Sequence, residues 1–295
     1  MPESPKALRS RIRSINSTRK ITRAMEMVAA AKLRRSQEAM TAARPFALKL
    51  QELLAQLAGS ASVESHPLFQ QREGDTSIMV LFTSERGLCG GFNSNIIRLA
   101  ENHMKRHPDT DWQLYCVGKK GQEHFQRRGH SIIESKLGLS GNPDNELARE
   151  IANDLLGRFE SGEAASVHLA YPAFVSLAVN RPTVSQFLHL DRDALLTTAP
   201  AEAAEDENAQ AIDYILEPSP ERVFEALLPR YLTSKIFITM AEVFTSEHSA
   251  RMIAMNNATK SCEDLSDELT LKMNKARQTQ ITSELIEIIS GAQAV

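Results

Sequence analysis

The sequence predicts an α/β layer joined to two long terminal helices, which pair with each other as an antiparallel coiled coil. Three observations support this fold class. Residues 230–290 contain neither proline nor glycine, and as one helix they would form a rod about 90 Å long at roughly 1.5 Å per residue. Residues 1–58 contain no glycine. Between these stretches, short apolar runs alternate with helical patterns, which favours a mostly parallel sheet covered by helices.

Composition is that of a soluble protein of one or two domains. The chain has 295 residues, of which 42% are apolar and 24% are charged, and its net charge is −3. The three cysteines, Cys89, Cys116 and Cys262, are too scattered for a disulfide framework or a metal-binding motif, which favours a reducing compartment. The longest apolar runs, such as residues 78–82, are far too short to cross a bilayer. We predict no metal and no cofactor.

The first predicted domain, residues 1–58, is a coiled-coil helix. Ser4 is a suitable N-cap and Pro5 fits the first turn. Pro45 is expected to kink the helix or to mark a joint. The apolar seam falls into three sets of residues. The step from the first set to the second, Ile15 to Ile21, is six residues and shifts the seam by one position. The sets are Leu8, Ile12 and Ile15; Ile21, Met25 and Val28; then Leu33, Met40, Ala47 and Leu54 alternating with Ser36, Ala43, Leu50 and Leu57. This is coiled-coil patterning with breaks.

The second predicted domain, residues 75–217, is a Rossmann-like α/β layer. Strands are predicted at 78–82, 113–117, 131–133, 166–171 and 184–190, and helices at 94–106, 122–127 and 145–159. Residues 199–210 are acidic and alanine-rich, which predicts a loop. Ile212, Tyr214 and Leu216 alternate with polar residues and predict an additional edge strand.

The third predicted domain, residues 219–295, is again a coiled-coil helix. Ser219 and Pro220 form a start signal, and Pro229 is expected to break or kink the helix. Its seam is predicted at Met255, Ala258, Cys262, Leu265, Leu269 and Ala276, with Ile281, Leu285 and Ile288 adding contacts near the end. Because the first helix enters the α/β layer and the last one leaves it, a layer at one end requires the two helices to run antiparallel.

No segment carries a convincing active site, so we predict that the chain is not an enzyme. The glycine-bearing loop at 84–93 matches neither phosphate-binding motif, and a tight turn with a packed Cys89 is the simpler interpretation. His103 and His107 have the i, i+4 spacing of zinc ligands but lack a third ligand at known spacing. The acids of residues 263–268 are interpreted as a solvated helix face.

The strongest charge asymmetry is a basic stripe at residues 6–35, which holds ten lysines and arginines and the single acid Glu26. Such a stripe suits nucleic acid, anionic lipid or an acidic protein surface. A nucleic-acid-binding coiled coil would show steep salt dependence, and an α/β enzyme with helical arms would show its own activity. Both remain alternatives at this stage, although few aromatic residues accompany the basic ones.

Three blocks in order along the chain resemble the gamma subunit of the rotary ATP synthase. The first is LRSRIRSI at 8–15 with TRKITRAMEMVAAAKL at 18–33, and the second is RGLCGGFN at 86–93. The third comprises SE at 246–247, RMIAM at 251–255, NKARQ at 274–278 and ITSELIEIISGA at 281–292. Ser261, Cys262 and Met273 depart from the usual pattern, which affects local packing and not the role.

The resemblance implies a central rotor shaft of a proton-driven, or alternatively sodium-driven, ATP synthase. Its implied partners are the alpha and beta subunits of the head, the epsilon subunit and the membrane rotor ring, with no nucleic acid. The catalytic sites would lie on the beta subunits. Implied partner contacts are Met25 and Arg251 near a moving acidic loop, and Arg277, Gln278 and Thr282 at another loop. The implied location is the cytoplasmic face of a bacterial inner membrane, in preference to an organellar one.

Overall fold

The structure is a computed structural model that describes residues 4–58, 66–69, 74–190, 217 and 219–293. Its contacts divide the chain into two units. The terminal unit comprises residues 1–30 and 251–295, and the central unit comprises residues 31–250. The predicted division at residues 58, 75–217 and 219 stays a prediction. Residues 199–210 and the proposed edge strand at Ile212, Tyr214 and Leu216 lie outside the described residues.

The described residues form five helices and five strands in the predicted order. The helices are α1 (Pro5–Ala58), α2 (Phe92–Arg106), α3 (Lys119–Gln126), α4 (Asn145–Glu160) and α5 (Pro220–Gln293). The strands are β1 (Thr76–Phe82), β2 (Asp111–Val117), β3 (Ile132–Lys136), β4 (Ser166–Phe174) and β5 (Asn180–Leu188). Pro45 and Pro229 lie inside α1 and α5 without ending them, so the break considered at Pro229 is wrong.

The central unit is built on one sheet with the strand order β3-β2-β1-β4-β5. The first four strands in this order pair in parallel, and β5 pairs antiparallel with β4. Parallel neighbours require a crossover, which helices supply, and α2, α3 and α4 fill that role here. The predicted Rossmann-like layer is therefore confirmed, with β5 as an antiparallel edge.

Alternate residues of the strands serve two different cores. On β1, Ile78, Val80 and Phe82 belong to a cluster with residues from α1, α4 and α5. The residues between them, Met79 and Leu81, belong to a second cluster with residues from α2 and α3. This two-residue period is what a strand buried on both faces produces, and it explains why β1 reads as one continuous apolar run.

The terminal unit is an antiparallel helix pair joined by a ladder of polar contacts. Residue numbers rise along α1 as they fall along α5, which confirms the predicted direction. The rungs are Asn16 Nδ2 to Ser266 Oγ (3.4 Å), Arg19 Nη1 to Glu263 Oε1 (3.6 Å), Thr22 Oγ1 to Thr259 Oγ1 (2.8 Å) and Asn256 Nδ2 to Glu26 Oε1 (2.9 Å).

The buried seam of this helix pair differs from the one that the sequence predicts. It does not shift to Ile21 and Val28, which are 60% and 58% exposed. Instead Thr22 is buried, and the spacing continues unbroken from Ile15 to Ala29. On α5, Leu265 is 44% exposed and Ser266 takes the buried position beside it. A hydroxyl can occupy a buried seam when it has a hydrogen-bond partner, and an apolar pattern alone does not reveal such positions.

We expect a double replacement of Thr22 and Thr259 by valine to leave stability unchanged or raised. Each single replacement should cost up to about 1 kcal/mol, because it removes the bond across the seam and leaves the remaining hydroxyl with only the carbonyl of its own helix, Arg19 for Thr22 and Met255 for Thr259. The double variant removes both hydroxyls and keeps the shape. Urea denaturation of the purified chain, followed by helical circular dichroism, measures these free energies.

Thr18→Val is the matched control, because the exposed Thr18 hydroxyl donates only to the Ser14 carbonyl of its own helix. It should change stability by less than about 0.5 kcal/mol. A double variant that loses the full sum of the two single losses would contradict the proposed pairing.

Candidate partner-binding surface

The five predicted partner-contact residues lie in the terminal unit, but the structure does not bring all of them together. Met25 is half-buried on α1 and lies between the levels of Asn256 and Thr259, because its neighbours Glu26 and Thr22 contact those residues. Arg251, also half-buried, precedes Asn256 by five residues, which is more than one helical turn. Met25 and Arg251 therefore occupy different levels of the helix pair.

The other three, Arg277, Gln278 and Thr282, lie together on the exposed last turns of α5. Gln278 and Thr282 are one turn apart, and the Thr282 hydroxyl donates to the Gln278 carbonyl (2.9 Å). This hydroxyl bond stays within the helix. All three side chains face outward from the described chain.

Residues 277–290, here called the distal segment, are exposed without exception. The reason is the register of the helix pair. Since Asn16 contacts Ser266, the first residue of α1, Pro5, falls roughly level with residue 277 in an antiparallel pair. The described part of α1 therefore provides no neighbour for the distal segment.

The distal segment carries more apolar surface than a solvated helix needs. Ile281 and Leu285 are about half exposed, at 49% and 53%, and Ile288 is 68% exposed. Ile286 and Ile289 are also exposed. The apolar contacts predicted for Ile281, Leu285 and Ile288 are not made with α1 in the described chain, because α5 extends beyond the described part of α1. The signal was present in the sequence as an excess of length: 54 residues in α1 against 74 in α5.

A second apolar surface lies on α1 away from the seam. Ile21, Met27 and Val28 are each about 60% exposed, and Met25 beside them is half-buried. The nearest basic side chains on the same helix include the exposed Lys20 and Arg23. Contiguous exposed apolar patches rimmed by polar groups are typical of protein–protein interfaces. The terminal unit thus offers two apolar surfaces, one on each helix.

The glycine-bearing loop in the central unit is a structural turn around a buried thiol. Leu88 and Gly90 adopt positive φ values of 65° and 58°. Cys89 is 1% exposed, and Asn93 Nδ2 lies 3.3 Å from its Sγ. The Ser84 backbone amide donates to Asn93 Oδ1 (3.0 Å). The Asn93 side chain therefore links the end of β1 to the start of α2. The Cys89 thiol is packed in the interior and is not accessible to a substrate.

Three histidines of the central unit, His103, His107 and His168, form a ring cluster with Trp112. The ring centroids of His103 and His107 are 4.8 Å apart, and those of His103 and His168 are 5.5 Å apart. The His168 ring also lies 3.0 Å, through Nε2, from the Ser166 hydroxyl. Among the residues that the structure describes, no three histidine, cysteine or acidic side chains are arranged to hold a metal ion.

A cavity of about 470 Å³ in the central unit contains the remaining unusual charges. Burial lowers the pKa of Lys235 to about 8, and its Nζ donates to the Gln186 carbonyl (3.1 Å). Burial raises the pKa of Glu242, while a backbone hydrogen bond from Phe174 and the nearby Arg44 oppose that shift. Arg44 is the charged group that acts on Glu242, whereas the shift of the Lys235 pKa comes from burial alone.

Comparisons with known proteins agree over nearly the whole chain. A family model described as ATP synthase matches residues 4–295. The ATP synthase gamma chain of Pelotomaculum thermopropionicum is 43% identical over 289 residues, covering 98% of both chains. That of Moorella thermoacetica is 42% identical over 288 residues, again covering 98% of both.

Two solved structures share the fold. One is the central stalk and c-ring of the Tetrahymena thermophila mitochondrial ATP synthase, with a TM-score of 0.60, 24% identity and coverage of 81% of this chain and 99% of that one. The other is the Euglena gracilis mitochondrial ATP synthase in rotational state 3, with a TM-score of 0.62, 16% identity and coverage of 98% and 94%. No described helix is both long and apolar enough to span a membrane.

Proposed function

Since this chain belongs to the ATP synthase gamma-chain family, we propose that it is the central rotor shaft of such an enzyme. In this role it couples rotation of a membrane ring to conformational change at catalytic sites on surrounding subunits. The observation that carries the proposal is the distal segment of α5, whose apolar side chains have no neighbour in the described chain. A helix with exposed apolar side chains around its circumference is suited to being surrounded by other subunits.

The proposed role requires no chemistry from the chain itself. The catalytic sites would belong to the beta subunits, and this subunit would be non-catalytic. The support is physical: Cys89 is buried in its turn, whereas the distal segment of α5 and the α1 surface around Ile21 expose apolar side chains suited to partners. A helix pair with directional polar rungs resists slipping of one helix past the other, which a transmitter of torque requires.

The proposed partners are the alpha and beta subunits of the head, the epsilon subunit and the membrane rotor ring, with no nucleic acid. We propose that the distal segment and the α1 surface around Ile21 and Val28 contact the head. Arg277, Gln278 and Thr282 would hydrogen-bond one beta subunit, and Met25 and Arg251 would contact beta subunits at different levels. Each such bond contributes about 0.5–1.5 kcal/mol, which lets the shaft release one orientation and reach the next.

We further propose a peripheral location on the cytoplasmic side of a bacterial inner membrane. The similar assemblies, both mitochondrial, combine a central stalk or F1 head with a c-ring, which supports attachment to a membrane ring. The preference for a bacterial membrane comes from the sequence resemblance. A shaft attached to such a ring remains outside the bilayer while moving with it.

Truncation after Ala276 is expected to weaken coupling before it weakens folding. The removed side chains of the distal segment are exposed, so the cooperative unfolding of the purified chain should be unchanged. In the assembled enzyme, ion-driven ATP synthesis should fall about tenfold, which corresponds to roughly 1.4 kcal/mol and to the loss of one or two contacts. Synthesis by proteoliposomes and thermal unfolding of the isolated chain provide the two measurements.

Alanine variants of Arg277 and Thr282 should reproduce part of this loss, whereas Ser94→Ala should not. Ser94 is exposed in α2, outside both proposed contact surfaces, and its hydroxyl donates to the nearby Gly91 carbonyl. A truncated chain that assembles and synthesises ATP at the wild-type rate would remove the support for a head-contacting distal segment. A purified chain that ignores alpha and beta subunits but binds duplex DNA at physiological salt would overturn the rotor role itself.

A further inference from the structure

Helix α5 crosses the central unit through a segment that is buried on every side. Five consecutive polar residues, Thr245, Ser246, Glu247, His248 and Ser249, are each at most 6% exposed. Successive residues of an α-helix point about 100° apart, so five in a row cover the full circumference. Residues 245–249, here called the collar segment, are therefore enclosed by the rest of the central unit.

The collar segment donates hydrogen bonds to carbonyl groups on separate parts of the α/β layer. The Ser246 hydroxyl donates to the Pro172 carbonyl in β4 (3.3 Å). The Ser249 hydroxyl donates to the Leu177 carbonyl in the turn between β4 and β5. From the opposite direction, Asn180 Nδ2 donates to the Ser246 carbonyl (3.3 Å). Two serine side chains thus tie α5 to one edge of the sheet.

His248 reaches another part of the layer. Its Nε2 lies 2.8 Å from the carbonyl oxygen of Gly141, in the loop between β3 and α4. A carbonyl only accepts, so Nε2 carries the hydrogen. The neighbouring Ser140 carbonyl accepts from Lys32 Nζ of α1 (3.1 Å). This one loop therefore contacts both long helices within the central unit.

Gly141 is suited to this close approach. Its φ is +80°, and a Cβ there would lie 3.2 Å from His248 Cε1 and 3.3 Å from Nε2. A side chain at this position would be strained and would push the imidazole away. The backbone of the loop is thus shaped around the histidine.

These bonds differ from apolar packing in one mechanical respect. Apolar contact is non-directional at the level of single atoms, so the apolar stripe of α5 fixes which face meets the core but limits small rotations about the axis less sharply than directional bonds do. Hydrogen bonds require alignment of donor and acceptor. Ser246, His248 and Ser249 point in three directions around α5, and a rotation of the helix in either sense would misalign them.

We propose that the hydrogen bonds of Ser246, His248 and Ser249 fix the rotational orientation of α5 within the central unit, and that torque passes between the α/β layer and the helix at this collar. The inference rests on the proposed rotor function and names the positioning residues through which the rotor transmits force. Without these hydrogen bonds, the layer would remain folded around α5, but α5 could rotate through a wider angle relative to the layer.

The test uses the complete enzyme reconstituted in liposomes, with ATP-driven ion pumping and ATP hydrolysis measured together. His248→Ala, and separately the double variant Ser246→Ala with Ser249→Ala, should lower the ratio of pumping to hydrolysis by at least about twofold, because each removes directional bonds. His248→Gln, whose amide can donate to the Gly141 carbonyl, should restore most of the ratio. If the His248→Ala enzyme does not assemble, the ratio of pumping to hydrolysis in the double serine variant tests the same proposal.

Thr239→Val is the matched control, because Thr239 is buried in α5 but its hydroxyl donates to the Lys235 carbonyl of its own helix. It should leave the ratio unchanged. The inference is overturned if the collar variants keep the wild-type ratio, if Thr239→Val lowers it equally, or if His248→Gln behaves as His248→Ala does. A wild-type chain that supports no coupled pumping would instead overturn the rotor function itself.

Discussion

Alanine in place of Gly118 is expected to unfold the central unit under conditions where the wild-type chain is stable. Gly118 connects β2 to α3 with a φ of +107°. A Cβ there would lie 2.0 Å from the carbonyl oxygen of Thr83 and 2.7 Å from its carbonyl carbon. Both atoms belong to the backbone, so no change of rotamer can relieve the clash.

The clash falls where two strands end side by side. The Thr83 amide donates to the Val117 carbonyl (2.8 Å), and the Thr83 hydroxyl donates to the Gly118 carbonyl (3.2 Å). The amide of Gly121, in the first turn of α3, donates to the same hydroxyl (2.8 Å). Separating these segments would break all three bonds, so we expect a loss of more than about 4 kcal/mol.

Denaturation followed by tryptophan fluorescence measures this loss, because the only tryptophan, Trp112, lies in β2. Gly129→Ala is the control: Gly129 also has a positive φ, of +74°, but a Cβ added there would meet nothing within 4 Å. Backbone strain alone should cost about 1 kcal/mol there. Equal losses in the two variants would show that the close approach to Thr83 is not the cause.

Acid is expected to destabilise the central unit through His168. Burial lowers the pKa of His168 to about 4, and the nearby His103, His107 and His189 contribute to that shift. Its ordinary pKa is about 6.5. Between about pH 4 and pH 6.5, His168 is therefore protonated in the unfolded chain and neutral in the folded chain. Stability therefore rises with pH across this window and is lost as the pH falls from about 6.5 to about 4.

The full shift corresponds to a loss of about 3 kcal/mol. Urea midpoints at pH 7 and pH 4.5 should therefore differ more for the wild type than for His168→Gln, which keeps a polar group near Ser166 but cannot titrate. His130→Gln changes an exposed histidine of the same unit and should retain the wild-type pH dependence. If His168→Gln loses stability with acid as steeply as the wild type does, the half-buried imidazole of His168 is not the group responsible.

The elements of the fold were predictable because each rests on a local pattern. The long helices follow from the lack of glycine and proline, and β1 from an apolar run of strand length. Antiparallel pairing followed from connectivity. The polar rungs between α1 and α5 were not predictable, because Thr22 and Thr259 gain their value only when they meet, 237 residues apart in the sequence. Ile21 and Val28 are apolar and were therefore predicted to lie in the seam, but both are exposed.

The same distinction applies to the collar segment. Its run of polar residues is typical of an exposed helix face, yet it is buried because hydrogen-bonding partners 66 to 107 residues earlier in the chain surround it. The partner-contact residues Arg277, Gln278 and Thr282 came from family resemblance, and their exposure is a property of the helix register. Where burial depends on distant backbone carbonyls, residue type alone is a poor guide.

The enclosure of α5 also bears on how the protein is made. The core on one face of the sheet includes Phe224, Leu232, Ile236 and Met240, which the ribosome adds only after every strand of that sheet has been synthesised. Residues of α1 and α4 contribute to the same core, but the part of this face that α5 covers stays exposed until the last helix is made. Completion of the layer becomes an event of late translation, and a nascent chain stopped before this helix would be a natural client for chaperones.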